Sequence, residues 1–332
     1  METLEKNIVE ITVDGKNVTG DVSPYLSRCT YTDQEEAESD EVTLVFEDTN
    51  GQWHGPWYPQ QGDSLTAKMG ESGNLLDCGL FEIDQIEYEF PPDLFSIKAI
   101  GAAITKDLRT KNSKAFEKQS LKKIAQYFAD KHKLKLTGDV SELQKIEIER
   151  KTQDKQTDIA FLQSLAKEYG LIFSVRGDQL VFMDAATLET QKAVLTFAKT
   201  QMSKGRFQDK TAQVYAEAKV ATRNMRTNTV QKWSVKPSGT PGKKDTLIVG
   251  GRAESDGQAQ AKAKGALKNC NKDKITGTFT VPGNNKLVAG INIELTEIGK
   301  FSGKWHVVSS THTVDKSSGY TTDVNVRKIE EK

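Results

Sequence analysis

The sequence predicts a mainly β protein with α+β insertions, in which two similar antiparallel β-barrel domains flank a helical α+β module. Three observations support this fold class. Short alternating strands separated by turn residues fill both ends of the chain, the middle segment has helical periodicity, and the two β regions share a faint repeat. A length of 332 residues accommodates two or three domains.

Residues 1–105 are predicted to form the first barrel. The segment IVEITVDG alternates apolar and polar residues before a turn at Asp14-Gly15, and VTLVFED (42–48) alternates in the same way. A long strand, LFEIDQIEYEF (80–90), is followed by a proline turn and then by LFSIKAIG. Several short strands at this spacing are typical of a small antiparallel sandwich or barrel.

Residues 106–188 are predicted to form the α+β module. Ser120 can cap a helix whose apolar stripe consists of Leu121, Ile124, Ala125 and Phe128. Thr157 or Asp158 can cap a second helix, which Gly170 is placed to end. The inward face of this second helix consists of Ile159, Leu162, Leu165, Ala166 and Tyr169. The segment LIFSV-RGDQ-LVFM then predicts a hairpin.

Residues 189–332 return to strand patterns and are predicted to form the second barrel. An excursion at about 236–274 interrupts it, beginning in the loop VKPSGTPGKKDT (235–246). Ser255 precedes the helical part of this excursion. One side of that helix carries Ala259, Ala263, Ala266, Leu267 and Cys270.

The repeat lies in two pairs of segments. GDSLTA (62–67) resembles GINIEL (290–295), and the pattern G-x-F-x-I (79–83) resembles G-x-W-x-V (303–307). In each long strand the inward residues switch from odd to even positions, which predicts a β-bulge and places Ile86, Tyr88 and Phe90 on the inner face of the first. These features predict a structural duplication, with chance similarity between two hairpins as the alternative.

The composition argues against several classes of function. Lys and Arg together number 46, as do Asp and Glu, so the chain lacks the basic excess typical of nucleic-acid binders. No run of 18 apolar residues suggests a transmembrane helix. Cys29, Cys78 and Cys270 are widely spaced, which predicts three reduced thiols in a protein made in the cytoplasm.

The four histidines are predicted to be surface or hydrogen-bonded structural residues. His306 and His312 would lie ~20 Å apart on a continuous strand, or on opposite faces of a bulged one. Neither arrangement lets them share a zinc ion. His54 and His132 lie in other segments, without neighbouring ligands in the sequence.

No other motif indicates catalysis. The acidic run DQEEAESDE (33–41) is predicted to be a solvated loop, with calcium binding as the alternative, although it lacks the glycine spacing of an EF-hand. The aromatic segment WHGPWYP (53–59) contains two prolines that exclude a regular strand, so it is either a loop packed on the barrel or a protein contact. We therefore expect no catalytic, cofactor-binding or metal-binding residues.

Two degenerate motifs and their order resemble a known family. The first is the helix pattern of Asp158, Phe161, Leu162, Leu165, Ala166 and Gly170. The second is the terminal pattern of Trp305, Val307, His312, Gly319, Tyr320 and Thr321. Over nearly its whole length the chain resembles the late control protein D family, the baseplate hub of contractile phage tails. It is also similar to the N-terminal hub region of type VI secretion spike proteins.

This resemblance implies a non-enzymatic homotrimer with tail-tube-like barrels. Three chains with two barrels each would form a pseudo-sixfold ring that adapts the hexameric tail tube to the trimeric spike around a central channel. The implied partners are further copies of the chain, the spike, the tube, other baseplate or wedge proteins and, as a further candidate, the tape measure protein. Specific nucleic-acid binding and membrane insertion are not implied. The protein would be made in the bacterial cytoplasm and incorporated in the virion baseplate or injection particle.

The terminal hairpin would form part of the channel wall. Its alternation predicts a wet face of Thr321, Asp323, Asn325 and Arg327. Two other functions remain as alternatives: a tail-tip receptor- or glycan-binding protein that uses Trp53 and Trp57 as a sugar platform, and a hydrolase of cell wall or peptide.

Overall fold

A computed structural model of the chain describes residues 7–36, 39–101, 110–210, 214–224, 229–236, 245–250 and 256–329. The chain divides into two compact units. The sheet unit consists of Met1–Thr105, Ala193–Arg206 and Thr278–Val326. The mixed unit consists of Lys106–Lys192, Phe207–Gly277 and Arg327–Lys332. This grouping places residues 207–277 with the middle segment, and the three-domain boundaries derived from the sequence stay a prediction.

The first third of the chain forms strands and one short helix, α1 (Thr19–Val22). The strands are β1 (Asn7–Val13), β2 (Lys16–Asn17), β3 (Leu26–Gln34), β4 (Glu41–Glu47), β5 (Ser64–Glu71), β6 (Asn74–Glu89) and β7 (Leu94–Gly101). In β4 the alternating residues Val42, Leu44 and Phe46 are buried, as the period of two predicts.

The middle third mixes strands and helices. Its strands are β8 (Lys111–Ser120), β9 (Lys135–Gly138), β10 (Glu147–Thr157), β11 (Leu171–Arg176) and β12 (Gln179–Asp184). Its helices are α2 (Leu121–Lys131), α3 (Val140–Lys145), α4 (Asp158–Glu168) and α5 (Ala185–Thr190). The predicted hairpin corresponds to β11 and β12, which pair antiparallel around the turn at Gly177.

The last third contains, within the described residues, nine strands, one α-helix, α6 (Asp256–Asn271), and two short 3₁₀ helices at Lys199–Gln201 and Gly299–Phe301. The strands are β13 (Leu195–Ala198), β14 (Lys204–Asp209), β15 (Glu217–Asn224), β16 (Thr229–Val235), β17 (Thr246–Val249), β18 (Ile275–Pro282), β19 (Asn292–Thr296), β20 (Gly303–Asp315) and β21 (Gly319–Lys328). Most of the predicted loop at 235–246, together with Ser255, lies outside the described residues.

One 13-stranded sheet contains most of these strands and confirms that the chain is mainly β. Its order is β14-β18-β21-β20-β3-β4-β7-β6-β5-β1-β2, with β19 beside β20 and β13 beside β19. Three smaller sheets have the orders β10-β8, β11-β12-β9 and β16-β15-β17. Among the described helices, none is long and apolar enough to cross a membrane.

The predicted duplication is visible in this sheet. We call β3–β7 the first repeat and β14 with β18–β21 the second, because the order β3-β4-β7-β6-β5 matches β14-β18-β21-β20-β19. The Gly62 amide donates to the Ile83 carbonyl at 2.8 Å, and the Gly290 amide donates to the Val307 carbonyl at 2.9 Å. Both glycines have positive φ. The closure of each repeat into a barrel stays a prediction.

The predicted parity switch also occurs. The register between β6 and β7 shifts between Ile83 and Gln85, which is a β-bulge. The inward placement of Tyr88 and Phe90 is wrong, because these side chains are 38% and 69% exposed. The pairing of β6 with β5 ends at Glu82, so the last part of β6 extends past β5.

On β21 the predicted wet face is correct for Asp323 and Asn325, which are exposed, while Val324 and Val326 are buried. Arg327 departs from the pattern. It is only 2% exposed, and its Nε lies 3.7 Å from the Glu189 carboxylate. The Glu189 carboxylate supplies the opposite charge that a buried guanidinium requires, at a position where alternation predicts solvent.

In the mixed unit both predicted caps are confirmed. Ser120 Oγ accepts from the Lys123 amide at the start of α2, and Thr157 Oγ1 accepts from the Ala160 amide at the start of α4. Gly170 follows α4 with φ +71°. The buried side of α6 carries the predicted residues Ala259, Ala263 and Leu267, which pack with Ala218 and Val220 of β15.

A close approach of two backbones explains a glycine in the middle of α6. A Cβ added at Gly265 would lie 2.6 Å from the Tyr169 carbonyl carbon, and one added at Gly170 would lie 2.7 Å from the Gly265 Cα. Such distances are too short for any side chain, so the end of α4 packs against α6 only because both positions lack a Cβ.

Two alanine substitutions in α6 test this contact. We expect Gly265→Ala to lower the free energy of unfolding by about 1–3 kcal/mol, because the new methyl group must displace backbone atoms. Gly257→Ala is the matched control, since nothing lies within 4 Å of its Cβ position and alanine stabilises helices by up to about 1 kcal/mol. Chemical denaturation measures both, and equal effects of the two substitutions would contradict the contact.

Candidate functional site

The two repeats are joined by a strand pair that we call the repeat junction. It consists of Arg28–Gln34 of β3 and Ser309–Asp315 of β20, paired antiparallel with His312 opposite Tyr31. The first part of β20 pairs instead with β19, from Gly303 to His306. Strand β20 therefore belongs to the second repeat at one end and extends the sheet of the first repeat at the other.

A buried polar cluster lies beside this junction. His306 is fully buried; its Nδ1 lies 2.7 Å from Asn292 Oδ1, and its Nε2 contacts the Glu35 carboxylate. Glu35 is only 3% exposed and lies 271 residues from His306 in the sequence. A buried carboxylate requires such a partner, because removing its charge from water is otherwise costly.

His312 forms a second buried contact. Its Nε2 donates to the Leu287 carbonyl at 3.1 Å, and its Nδ1 accepts from the Tyr320 hydroxyl at 2.9 Å. Burial lowers the pKa of His312 to about 4, although the bond to the Leu287 carbonyl opposes this shift. The ring is therefore neutral at neutral pH, which fits one donor nitrogen and one acceptor nitrogen.

The expectation of a solvated loop at 33–41 is wrong for Asp33 and Glu35. Asp33 is 4% exposed, and its Oδ2 accepts from the Ala289 amide at 2.8 Å. Both carboxylates are buried because they bind groups of the second repeat. A signal for this existed in the sequence, since Asp33 and Glu35 continue the odd-numbered inward series of Cys29 and Tyr31.

The remaining histidines bind carboxylates locally. His54 Nδ1 lies 2.5 Å from Asp48 Oδ2, and His132 Nε2 lies 2.8 Å from Asp158 Oδ2. Asp158 is fully buried. Burial opposes its ionisation, but hydrogen bonds from Gln153, Lys131 and His132 outweigh this effect and lower the pKa of its carboxyl. All four histidines are thus hydrogen-bonded, as the structural interpretation predicts.

Within the described ranges, no group of three or more potential ligands could hold a metal ion. The three cysteines are free thiols, and burial raises the pKa of both Cys29 and Cys78. An inert thiol is expected for a buried cysteine in apolar surroundings. The expectation that the chain carries no catalytic residues stays a prediction.

The aromatic segment WHGPWYP (53–59) is partly buried. Trp53 is 5% exposed and stacks on Phe46 with ring centroids 3.8 Å apart. Trp57 is 37% exposed and meets the Trp53 ring edge-on. The paired sugar platform considered from the sequence is therefore wrong, because the face of Trp53 is occupied by the core of the first repeat.

Solved structures share this architecture. The 43 kDa tail protein of prophage MuSo2 from Shewanella oneidensis has a TM-score of 0.74 and 16% identity, covering 97% of this chain and 98% of that one. The E. coli c3393 protein, described as a component of the type VI secretion system, has a TM-score of 0.57 and 9% identity, covering 98% of this chain and 77% of that one. The fold of this chain is thus shared with these two solved proteins.

The chain belongs to the phage tail baseplate hub (GPD) family, which matches residues 102–318. It is 29% identical over 182 residues to a "Probable baseplate hub protein" of Escherichia phage 186. That alignment covers 54% of this chain and 46% of the relative, so the chain spans less than half of the relative's length.

The Glu35–His306 contact can be tested with a double-mutant cycle. We expect His306→Leu to lower the free energy of unfolding by about 3–5 kcal/mol, because it leaves a buried carboxylate without its partner. Adding Glu35→Leu should restore part of this loss. The control is Arg28→Ala, which removes the ion pair between Arg28 and Asp315. Because the Arg28 side chain is 58% exposed, this substitution should lower the free energy of unfolding by less than about 1 kcal/mol. Additive effects at positions 35 and 306 would contradict the contact.

His312 predicts a dependence of stability on pH. Its folded pKa of about 4 lies below the ordinary 6.5, so the unfolded chain binds the proton first. The contribution of His312 is complete above pH 6.5 and is lost as the pH falls toward 4, by up to about 3 kcal/mol. Urea unfolding at pH 7.5 and 4.5 should show a smaller difference for His312→Gln. An unchanged difference would show that His312 does not titrate in this way.

Proposed function

We propose that the protein is the structural baseplate hub of a contractile tail or injection system and works as a homotrimer. The duplication carries this proposal. Because each chain supplies two equivalent sheet repeats, three chains supply six, and a ring with true threefold symmetry would present six similar elements. Such a ring would adapt a hexameric tail tube to a trimeric spike.

The proposed ring encloses a central channel. The exposed polar residues of β21, Asp323 and Asn325, support a wet wall, since a polar surface lets a passing chain slide without apolar adhesion. The partners proposed for the hub are the tube, the spike, other baseplate or wedge proteins and the tape measure protein. Its location would be the tail baseplate or injection particle, after synthesis in the bacterial cytoplasm.

The proposed role is mechanical rather than catalytic. The histidines, which are the usual general acids and bases, form hydrogen bonds to carboxylates, an amide, a hydroxyl and a carbonyl of the chain itself. Substitutions in these pairs should therefore act on stability and assembly. In a hydrolase, substitution of a catalytic histidine would instead abolish activity while the fold stayed intact.

Mass measurement tests the homotrimer. Native mass spectrometry of the chain, alone and mixed with its spike protein, should give a species of three chains, and images of that species should show a threefold ring. Stability and mass should be measured on the same sample to exclude an unfolded chain. A folded single chain in both samples would overturn the proposed trimer.

A further inference from the structure

The repeat junction has a counterpart at the outer edges of the sheet. Inside the chain β20 pairs with β3. The equivalent of β20 in the first repeat is β6, and the equivalent of β3 in the second repeat is β14. Within the described part of the chain, Gln85–Glu89 of β6 pairs only with β7, and β14 pairs only with β18.

We propose that Gln85–Glu89 of β6 pairs antiparallel with β14 of a second copy of this chain. This inference rests on the homotrimer proposed above and names the surfaces that form it. Each junction inside a chain would then be followed by a similar junction between chains. The sheet would continue around the ring without a free edge at these strands.

The equivalence of β3 and β14 can be followed across the sheet. In the first repeat Arg28 lies opposite Val45, Val45 opposite Ser96, and Ser96 opposite Glu87. In the second repeat the Ser203 amide donates to the Thr280 carbonyl at 2.9 Å, whereas the Lys210 amide donates to the Lys274 carbonyl at 2.8 Å. The second bond places Lys204 opposite Thr280, so the register shifts by one residue before Lys204, as it does before Arg28 in β3. Thr280 bonds Asp323, and a bond from Asn325 to Ser309 places Asp323 opposite Thr311. Lys204 therefore corresponds to Arg28, and Thr311 corresponds to Glu87.

This correspondence fixes the register between copies. Within the chain Thr32, four residues after Arg28, lies opposite Thr311. The equivalent of Thr32 is Gln208, four residues after Lys204, so Glu87 should lie opposite Gln208 of the second copy. One and two steps along, Tyr88 should lie opposite Phe207 and Glu89 opposite Arg206. The same one-residue step occurs in the chain between Thr32–Thr311 and Tyr31–His312.

Burial and charge both support the pairing of β6 with β14 of a second copy. Alternate residues of β3 are buried, whereas Lys204, Gly205 and Arg206 of β14 are all exposed. The β6 segment carries Glu87 and Glu89, and β14 carries Lys204 and Arg206, so edges of opposite sign would meet. Tyr88, exposed by 38% in the single chain, would lie opposite the Phe207 ring, and Glu89 would lie opposite Arg206 as an ion pair.

Cross-linking between two singly substituted chains tests the pairing. Directly opposite residues have Cα atoms about 4.5–5.5 Å apart, within the range of a disulfide. Mixing Glu89→Cys with Arg206→Cys under mild oxidation should give a disulfide-linked dimer on non-reducing gels. Each variant alone, with its three native cysteines, is the control for other disulfides. Both side chains replaced are exposed, so the fold should tolerate the changes.

A displaced cysteine tests the register. Lys210→Cys lies four residues from Arg206, ~13 Å along an extended strand, and should cross-link to Glu89→Cys at least tenfold more slowly. Equal rates would overturn the register. A three-chain mass without the Glu89–Arg206 disulfide would overturn the pairing and leave the trimer intact, whereas a folded single chain without the disulfide would overturn both.

Charge reversal gives a readout without oxidation. Arg206→Glu would place a third carboxylate beside Glu87 and Glu89, and we expect the association of chains to weaken about tenfold. Lys286→Glu, at an exposed lysine of the loop before β19, is the matched control and should leave association unchanged. Equal association of the two variants would count against the proposed edge.

Discussion

The pairing of β20 with β3 is the interaction on which the rest of the sheet unit depends. It converts two repeats into one continuous sheet, because the last part of β20 leaves β19 and continues beside the first repeat. Buried polar contacts from Asp33 and Glu35 to groups of the second repeat accompany it. A slip of one residue would turn these carboxylates away from their partners, so the polar contacts specify the register as well as stabilising it.

The duplication also explains why β14 and β18 are neighbours in the sheet although they lie far apart in the sequence. In the first repeat β3 leads to β4 through a short connection, whereas in the second β14 leads to β18 through residues 210–274. The strands on either side of that long connection still occupy equivalent places in the sheet. A long insertion between neighbouring strands is tolerated because the entropic cost of closing a loop rises only slowly with its length.

Local features of this chain were predictable from its sequence. The caps at Ser120 and Thr157, the bulge after Ile83 and the repeated glycines depend on neighbouring residues or on a short period. The Glu35–His306 contact was not predictable, because nothing local connects residues 271 positions apart. The burial of Arg327 was missed for a related reason, since its position in an alternating strand gives no information about Glu189.

The two kinds of junction proposed for the ring face different physical demands. The junction inside a chain forms once, during folding, and can bury His306 and Glu35 because both arrive on the same chain. An edge that meets another copy is exposed to water before assembly, and an apolar edge would pair with any available strand. Charged residues on β6 and β14 would keep each edge soluble, and their opposite signs would favour the pairing of β6 with β14 over like edges. Equivalent strands can therefore differ in polarity while keeping the same place in the sheet.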